Sequence, residues 1–326
     1  MSLSYNIPFL SIMLTLVSGI LVPLIRREGG ALRLIRGVQL GVAGLSALLL
    51  VRLSGAGASF SYPMGHIPAP WGNELRAGPL EALLALTFSV VMLLSLSGGA
   101  EDLRRDVRPD RQGWYCLLMQ LLFGALLAMV YTDDLFTGYV FVEIAAVTAC
   151  IAVAAKESGR SVVAAIRYLI FSCLGSGLVL LGIAMLYCIT GQLLFSGLEE
   201  AVARLVQSGE YSLPLVVSAL LMTLGLSIKS AQFPFHAWLP DAHASATTAS
   251  SAILSGLVLK GYLVLLLKLI LRVFGPALIV STYIDDLLFL LGLTGMLFAS
   301  VAALRQEEVK RMIAYSSSAQ ISYIFL

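Results

Sequence analysis

Charge is what this chain has least of. Asp, Glu, Lys and Arg make up 12% of its 326 residues, about half the share usual in soluble domains, which excludes an ordinary water-facing globular surface. Cysteine is scarce and badly placed for chemistry. Cys116, Cys150, Cys173 and Cys188 each fall in an apolar run without CxxC spacing. No disulfide framework, zinc site or iron–sulfur cluster is therefore expected, and all four read as small buried hydrophobes. The histidines, His66, His236 and His243, lack the three- or four-residue spacing that sets two ligands on one helix face, so neither a metal nor a haem is assigned. No glycine-rich dinucleotide fingerprint follows a strand. The chain is expected to carry no cofactor, no redox chemistry of its own and no nucleic-acid partner. Its first apolar run lacks a basic n-region and a small-residue cleavage site, and reads as a retained helix.

Apolar sequence is what remains. Hydrophobic residues supply 59% of the chain and the mean hydropathy is +0.92, which predicts an all-α, polytopic bundle of about ten helices in a lipid bilayer. Residues 7–25 and 37–53 make the first two spans, separated by Arg26, Arg27, Arg33 and Arg36. The glycine- and proline-rich stretch 54–78 reads as a loop, and 79–96 is the third span. AEDLRRDVRPDRQG follows, and its four acids and four arginines require water. Residues 114–131 and 135–155 form the fourth and fifth spans about a tight turn at Thr132-Asp133-Asp134, and 162–189 the sixth. Residues 191–212 carry Glu199, Glu200, Arg204 and Glu210 at helical spacing, and read either as an interfacial amphipathic helix or as an ordinary loop. The seventh and eighth spans hold Lys229 and Lys260, and the ninth covers 284–304. A tenth begins at Met312, and its 15 residues to Leu326 reach about 22 Å, short of a hydrocarbon core of about 30 Å.

Orientation follows from basic residues in alternate loops. One set holds Arg26, Arg27, Arg33, Arg36, Arg104, Arg105, Arg108, Arg111, Lys156, Arg160, Arg305, Lys310 and Arg311, thirteen in all, and the other holds Arg76 and Arg204 only. The N-terminus is therefore expected outside and the first loop in the cytoplasm.

The chain is organised around residues 225–260, GLSIKSAQFPFHAWLPDAHASATTASSAILSGLVLK, which place lysine inside hydrocarbon. Lys229 closes the apolar run 213–228, and Lys260 stands within 249–267. A charged lysine at the bilayer centre costs about 2.5 to 3.5 kcal/mol on insertion scales, so such a residue is read as functional. Snorkelling from a helix end is the bland alternative, weaker for Lys260 than for Lys229. Glu143 falls near mid-membrane in the fifth span. Arg167, about a turn and a half into the sixth, is placed to snorkel. Lys268 and Arg272, toward the outer end of the eighth, read as snorkelling, with an exit-path role as the alternative. Pro234 removes a backbone donor and leaves a carbonyl near Ser230 free, which predicts a discontinuous helix of the kind many ion transporters use. His236 either caps that break or lines a path, and His243 and Asp241 are placed at the cytoplasmic mouth.

These residues carry a resemblance. KSAQFPFHAWLPDAHASATTASSAILSGLVLK resembles the signature of the proton-conducting, antiporter-like membrane subunits shared by respiratory complex I, Mrp-type sodium/proton antiporters and membrane-bound hydrogenases. MGHIPAPWGNELRAGPL, DLFTGYVFVEI, IRYLIFSCLGSGLVLLGIAMLY and VKRMIAYSSSAQISYI extend it over nearly the whole chain. A lysine at 260 in place of a histidine is more similar to complex I subunits of the fourth type and to the Mrp D subunit. The resemblance implies that Glu143 pairs with Lys229 and that Lys260 continues a proton path, with Arg167, His236, His243 and Lys268 as further candidates along it. It also implies a prokaryotic inner membrane, other membrane subunits as partners and protons as cargo, with sodium left open. Any enzyme activity would belong to a complex of the NADH:quinone oxidoreductase or hydrogenase type. Lysine suits the role, because desolvation favours the neutral amine and a neighbouring carboxylate the ammonium. At about 4 Å and an effective dielectric near 20, that attraction is worth roughly 4 kcal/mol, so separating Glu143 from Lys229 would release a proton.

The sequence departs from the family pattern in three places. Ala246-Thr247-Thr248 stands where the family has Ala-Pro-Thr, and Gly78 where an acid precedes the third-helix proline. The family has about fourteen helices in two inverted repeats, and the second repeat here ends after two. The expected division is therefore 1–112, three N-terminal helices with an outer loop; 113–272, the first repeat (helices four to eight); and 273–326, the start of the second. A fragment of a longer subunit is favoured over a degenerate half-unit. A proton-translocating subunit is the leading reading, and a non-conducting structural or assembly subunit the alternative. Intact Glu143, Lys229 and Lys260 favour the first, the missing helices the second.

Overall fold

A computed structural model describes residues 3–25, 29–56, 59–67 and 72–326. Arg26 and Arg27, counted above for orientation, and residues 68–71 of the MGHIPAPWGNELRAGPL stretch lie outside the described residues. The helices are α1 (Leu3–Leu21), α2 (Gly30–Ala56), α3 (Pro79–Gly98), α4 (Ala100–Asp106), α5 (Gln112–Tyr131), α6 (Leu135–Ala154), α7 (Gly159–Thr190), α8 (Phe195–Ser208), α9 (Ser212–Lys229), α10 (Trp238–Ser245), α11 (Thr248–Ile253), α12 (Leu259–Lys268), α13 (Gly275–Ser281), α14 (Ile284–Leu304) and α15 (Val309–Ile324). Strands β1 (Phe60–Pro63) and β2 (Glu74–Ala77) lie between α2 and α3. Among the described residues, nine helical stretches are long and apolar enough to cross a membrane, matching the first nine runs read from sequence. The tenth, α15, has 16 residues. The all-α membrane architecture therefore stands.

The chain divides into two compact units, Met1–Ser158 with Ala246–Val258, and Gly159–Ser245 with Leu259–Leu326. In the first, α5 forms the core, and every residue from Leu122 to Tyr131 is buried. Helix α1 crosses it closely, since a Cβ on Gly124 would stand 2.8 Å from Thr15 Oγ1. Beside that crossing runs a buried polar ladder. Gln39 Nε2 donates to Gln120 Oε1 at 2.6 Å, Gln120 Nε2 to Ser18 Oγ at 2.7 Å, and Ser18 Oγ to the Thr15 carbonyl at 2.8 Å. Such bonds satisfy polar groups that hydrocarbon would leave bare.

The ends of this unit hold the surprises. The loop expected over 54–78 contains an antiparallel hairpin, Phe60 facing Ala77 and Tyr62 facing Leu75, with the Tyr5 ring packed 5.2 Å from Phe60. The water-exposed stretch after α3 is partly helical, and Lys156 pairs with Asp106 at 2.8 Å. Arg33 and Arg36 lie in the first turns of α2 rather than in a loop, and Arg36 Nη2 donates to the Leu96 carbonyl at 3.0 Å. The turn before α6 is as read, and Asp134 caps the helix by accepting from the Thr137 amide at 2.6 Å, a bond that relieves one orphan donor.

In the second unit, α7 and α9 pack through small residues. A Cβ on Gly225 would lie 2.5 Å from the Gly175 carbonyl oxygen, and one on Gly182 2.6 Å from Met222 Cγ. Ser218 Oγ donates to the Gly182 carbonyl at 2.9 Å. Glycines seven residues apart on α7 thus meet Ser218 and Gly225, seven apart on α9, which lets two backbones approach as membrane helices do. The ambiguous stretch before α9 is a helix, α8, with Phe195, Leu198, Ala201 and Val202 buried and the charges outward.

The eighth span, Thr248–Ser281, is interrupted by π-turns at Leu254–Val258 and Leu269–Phe274. Each inserts a residue and turns the following face by about 100°. Two cysteines depart from expectation. Cys116 and Cys150 are buried, but Cys173 and Cys188 are exposed on the outward face of α7.

Candidate functional site

Lys229 is the last residue of α9. Ala231 adopts a left-handed conformation, φ 57°, and the Gln232 amide turns back to the Ser227 carbonyl at 3.0 Å, so the helix ends before Pro234 is reached. The expected discontinuity is present, but Ala231 makes it, and Pro234 lies in the unwound segment between α9 and α10. A cation at a helix C-terminus faces the negative end of the dipole, which offsets part of its burial.

That burial is nearly complete, with 1% of Lys229 exposed. Its Nζ donates to Ser172 Oγ of α7 at 2.9 Å and stands 5.7 Å from the centre of the Tyr262 ring, within range of a cation–π attraction. Its stem lies against Gly175, where a Cβ would come 3.1 Å from Lys229 Cγ. Tyr168, Ser172 and Gly175 follow at i, i+4 and i+7, one face of α7. The Tyr262 hydroxyl lies 3.3 Å from that of Tyr168, whose ring stacks on Trp238 at 4.4 Å and 12°. All four, Ser172, Tyr262, Tyr168 and Trp238, are at least 97% buried.

The other sequence candidates fall in several environments. Glu143 is half-buried on α6, in the first unit. Lys260 is half-buried near the start of α12, just past a π-turn, in the same unit as Lys229. Lys268 is only 8% exposed, so the snorkelling expected of it does not occur. The preceding π-turn rotates its face in a way that an even 3.6-residue count misses. Arg272 lays its guanidinium 5.5 Å over Phe195. Arg167, its side chain 60% exposed, binds Asp241 at 2.5 Å, and Asp241 also binds Arg311 of α15 at 2.5 Å. His243 is fully buried. His236 lies in an aromatic cluster, stacked on Phe233 at 5.4 Å and edge-on to Tyr315 at 6.0 Å.

The sequence reading missed Ser172, Tyr168, Tyr262, Trp238 and Arg311. The first two were visible as a polar stripe at helical spacing in an otherwise apolar span. The remaining three depend on elements brought together in space.

A sequence model of the family described as NADH:quinone oxidoreductase/Mrp antiporter, TM, matches residues 132–326. The chain belongs to this family. It is 35% identical over 292 residues to an NADH-quinone oxidoreductase subunit N of Desulforudis audaxviator, covering 86% of this chain and 57% of that protein. A Rhizobium meliloti subunit N 1 is 28% identical over 290 residues, 89% of this chain and 56% of that one. The chain thus spans just over half the length of these curated relatives. Among solved structures, a chain of the archaeal membrane-bound sulfane sulfur reductase, a respiratory membrane complex, superposes with a TM-score of 0.85 and 28% identity, covering 98% of this chain and 64% of that one. A chain of the Mrp complex from Dietzia sp. superposes with a TM-score of 0.86 at 20% identity, covering 100% and 59%, and shares the fold.

Proposed function

We propose that this chain is a proton-translocating membrane subunit of a multisubunit complex, moving protons through Glu143, Lys229 and Lys260. The observation that carries this reading is Lys229, 1% exposed, with its Nζ donating to Ser172 Oγ at 2.9 Å and 5.7 Å from the centre of the Tyr262 ring. A buried ammonium is costly unless its site is built for it, so a buried lysine engaged by Ser172 and the Tyr262 ring supports a role as proton carrier. Arg167, His236, His243 and Lys268 are further members of the path. The names carried by the relatives point to a dehydrogenase-type complex in a bacterial inner membrane, with other membrane subunits as partners and sodium as a second cargo where the complex exchanges it. Within the chain, 1–112 forms an N-terminal three-helix part, 113–272 the first antiporter-like repeat and 273–326 the start of a second. The N-terminus faces outward.

The test is Lys229→Ala in the assembled complex, in sealed membrane vesicles with a pH-sensitive dye. Coupled proton flux should be lost while insertion and assembly persist, because removing the charge relieves an insertion cost. Normal pumping would overturn the reading.

A further inference from the structure

Helix α10 has 8 residues and follows the unwound segment after Lys229. A helix this short is marginal alone, so its position is set by what it touches. Two side chains three residues apart, and so on one face, fasten it to α7. Asp241 accepts from Arg167 Nη1 at 2.5 Å, and Trp238 stacks on the adjacent Tyr168 at 4.4 Å. The second oxygen of Asp241 takes Arg311 Nη2 of α15 at 2.5 Å, and Arg311 also meets Glu308 at 3.6 Å. One carboxylate therefore ties three elements. Charge-assisted bonds of this kind are the strong ones, and the Asp241 side chain is only 23% exposed.

The other prong leads inward. Tyr168, held under Trp238, places its hydroxyl 3.3 Å from Tyr262, and the Tyr262 ring is the face presented to the Lys229 ammonium at 5.7 Å. A shift of α10 would move Trp238, then the tyrosine pair, then the surroundings of Lys229.

We propose that Asp241 is a positioning residue. By clamping α10 between Arg167 and Arg311, it holds Trp238 stacked on Tyr168 and, through the Tyr168 hydroxyl, Tyr262, which together shape the Lys229 site. This deepens the proposed proton translocation and rests on it.

The experiment uses the assembled complex in membrane vesicles, in a background lacking the four native cysteines and carrying Ala242→Cys. Ala242, on α10, is 0% exposed and should be shielded from a membrane-permeant maleimide while Asp241 is intact. Asp241→Asn should raise the labelling rate about tenfold, the loss expected on removing charge-assisted bonds, and lower proton flux in step. Asp241→Glu should restore both. Arg311→Gln leaves one arm of the clamp and should give intermediate values of each, which supplies the same test should Asp241→Asn fail to accumulate. Unchanged labelling in Asp241→Asn, or raised labelling with wild-type flux, would overturn the positioning role. Lys229→Ala separates the two claims: it should abolish flux without changing the labelling. Persistent flux in that variant would sink translocation through Lys229, while the labelling still decides whether Asp241 docks α10.

Discussion

Lys229, at the end of α9, donates a hydrogen bond to Ser172 Oγ of α7 at 2.9 Å, four residues from Gly225, where a Cβ would lie 2.5 Å from the Gly175 carbonyl oxygen. The charge and the glycine contact are thus one construction. Gly175 and Gly225 let α7 and α9 approach, and that approach brings a hydroxyl on α7 within reach of a lysine on α9.

A double-mutant cycle tests this bond. Ser172→Ala should cost about 1.5 to 3 kcal/mol of stability, the range for a hydrogen bond to a charged group. In a Lys229→Met background the same change should be nearly neutral. Denaturation in detergent measures both, and equal losses in the two backgrounds would mean that the bond contributes nothing.

Glycine substitutions along α7 and α9 should sort by space. Gly225→Ala places a Cβ 2.5 Å from the Gly175 carbonyl oxygen, whereas Gly177 has nothing within 4 Å. Overpacking should cost Gly225→Ala about 1 to 3 kcal/mol. Gly177→Ala, mid-helix and unobstructed, should be neutral or gain up to about 1 kcal/mol. Thermal unfolding of the two variants side by side checks the order.

Glu143→Gln should impair pumping less completely than Lys229→Ala, because it changes the electrostatics acting on the carrier without removing the carrier. Dye-monitored flux in vesicles compares them. Equal pumping by Glu143→Gln and the parent would exclude the carboxylate from the mechanism.

Topology is open to direct labelling. In a cysteine-free background, Arg105→Cys and Gly159→Cys should be protected from an impermeant thiol reagent in whole cells, while Gly72→Cys and Ser208→Cys react. The opposite pattern would reverse the orientation inferred from loop arginines and lysines.

Long apolar runs made the spans legible, because hydrocarbon thickness leaves little freedom over where a helix must start and stop. The ninth run, 284–304, coincides with α14, Ile284–Leu304. Lys229 stood out for the same reason, as an ionisable group that solvent hydrophobicity alone would exclude. What lay beyond reading was anything decided by rotation or by neighbours. The π-turns at Leu254–Val258 and Leu269–Phe274 insert residues that an even 3.6-residue count does not foresee, and the first of them precedes Lys268, which is buried. The hairpin of β1 and β2 needs a partner strand eleven residues away, and four-residue strands give too short an alternation to detect. Nothing in the sequence near Asp241 showed that Arg167 and Arg311, separated from it by 74 and 70 positions, meet on its two oxygens. Composition and periodicity are properties of a chain against its solvent, so they established that this protein lives in lipid and where it crosses. Which hydroxyl holds Lys229 and which charges clamp α10 depend on pairwise contacts between distant segments, and only packing the helices together decides those.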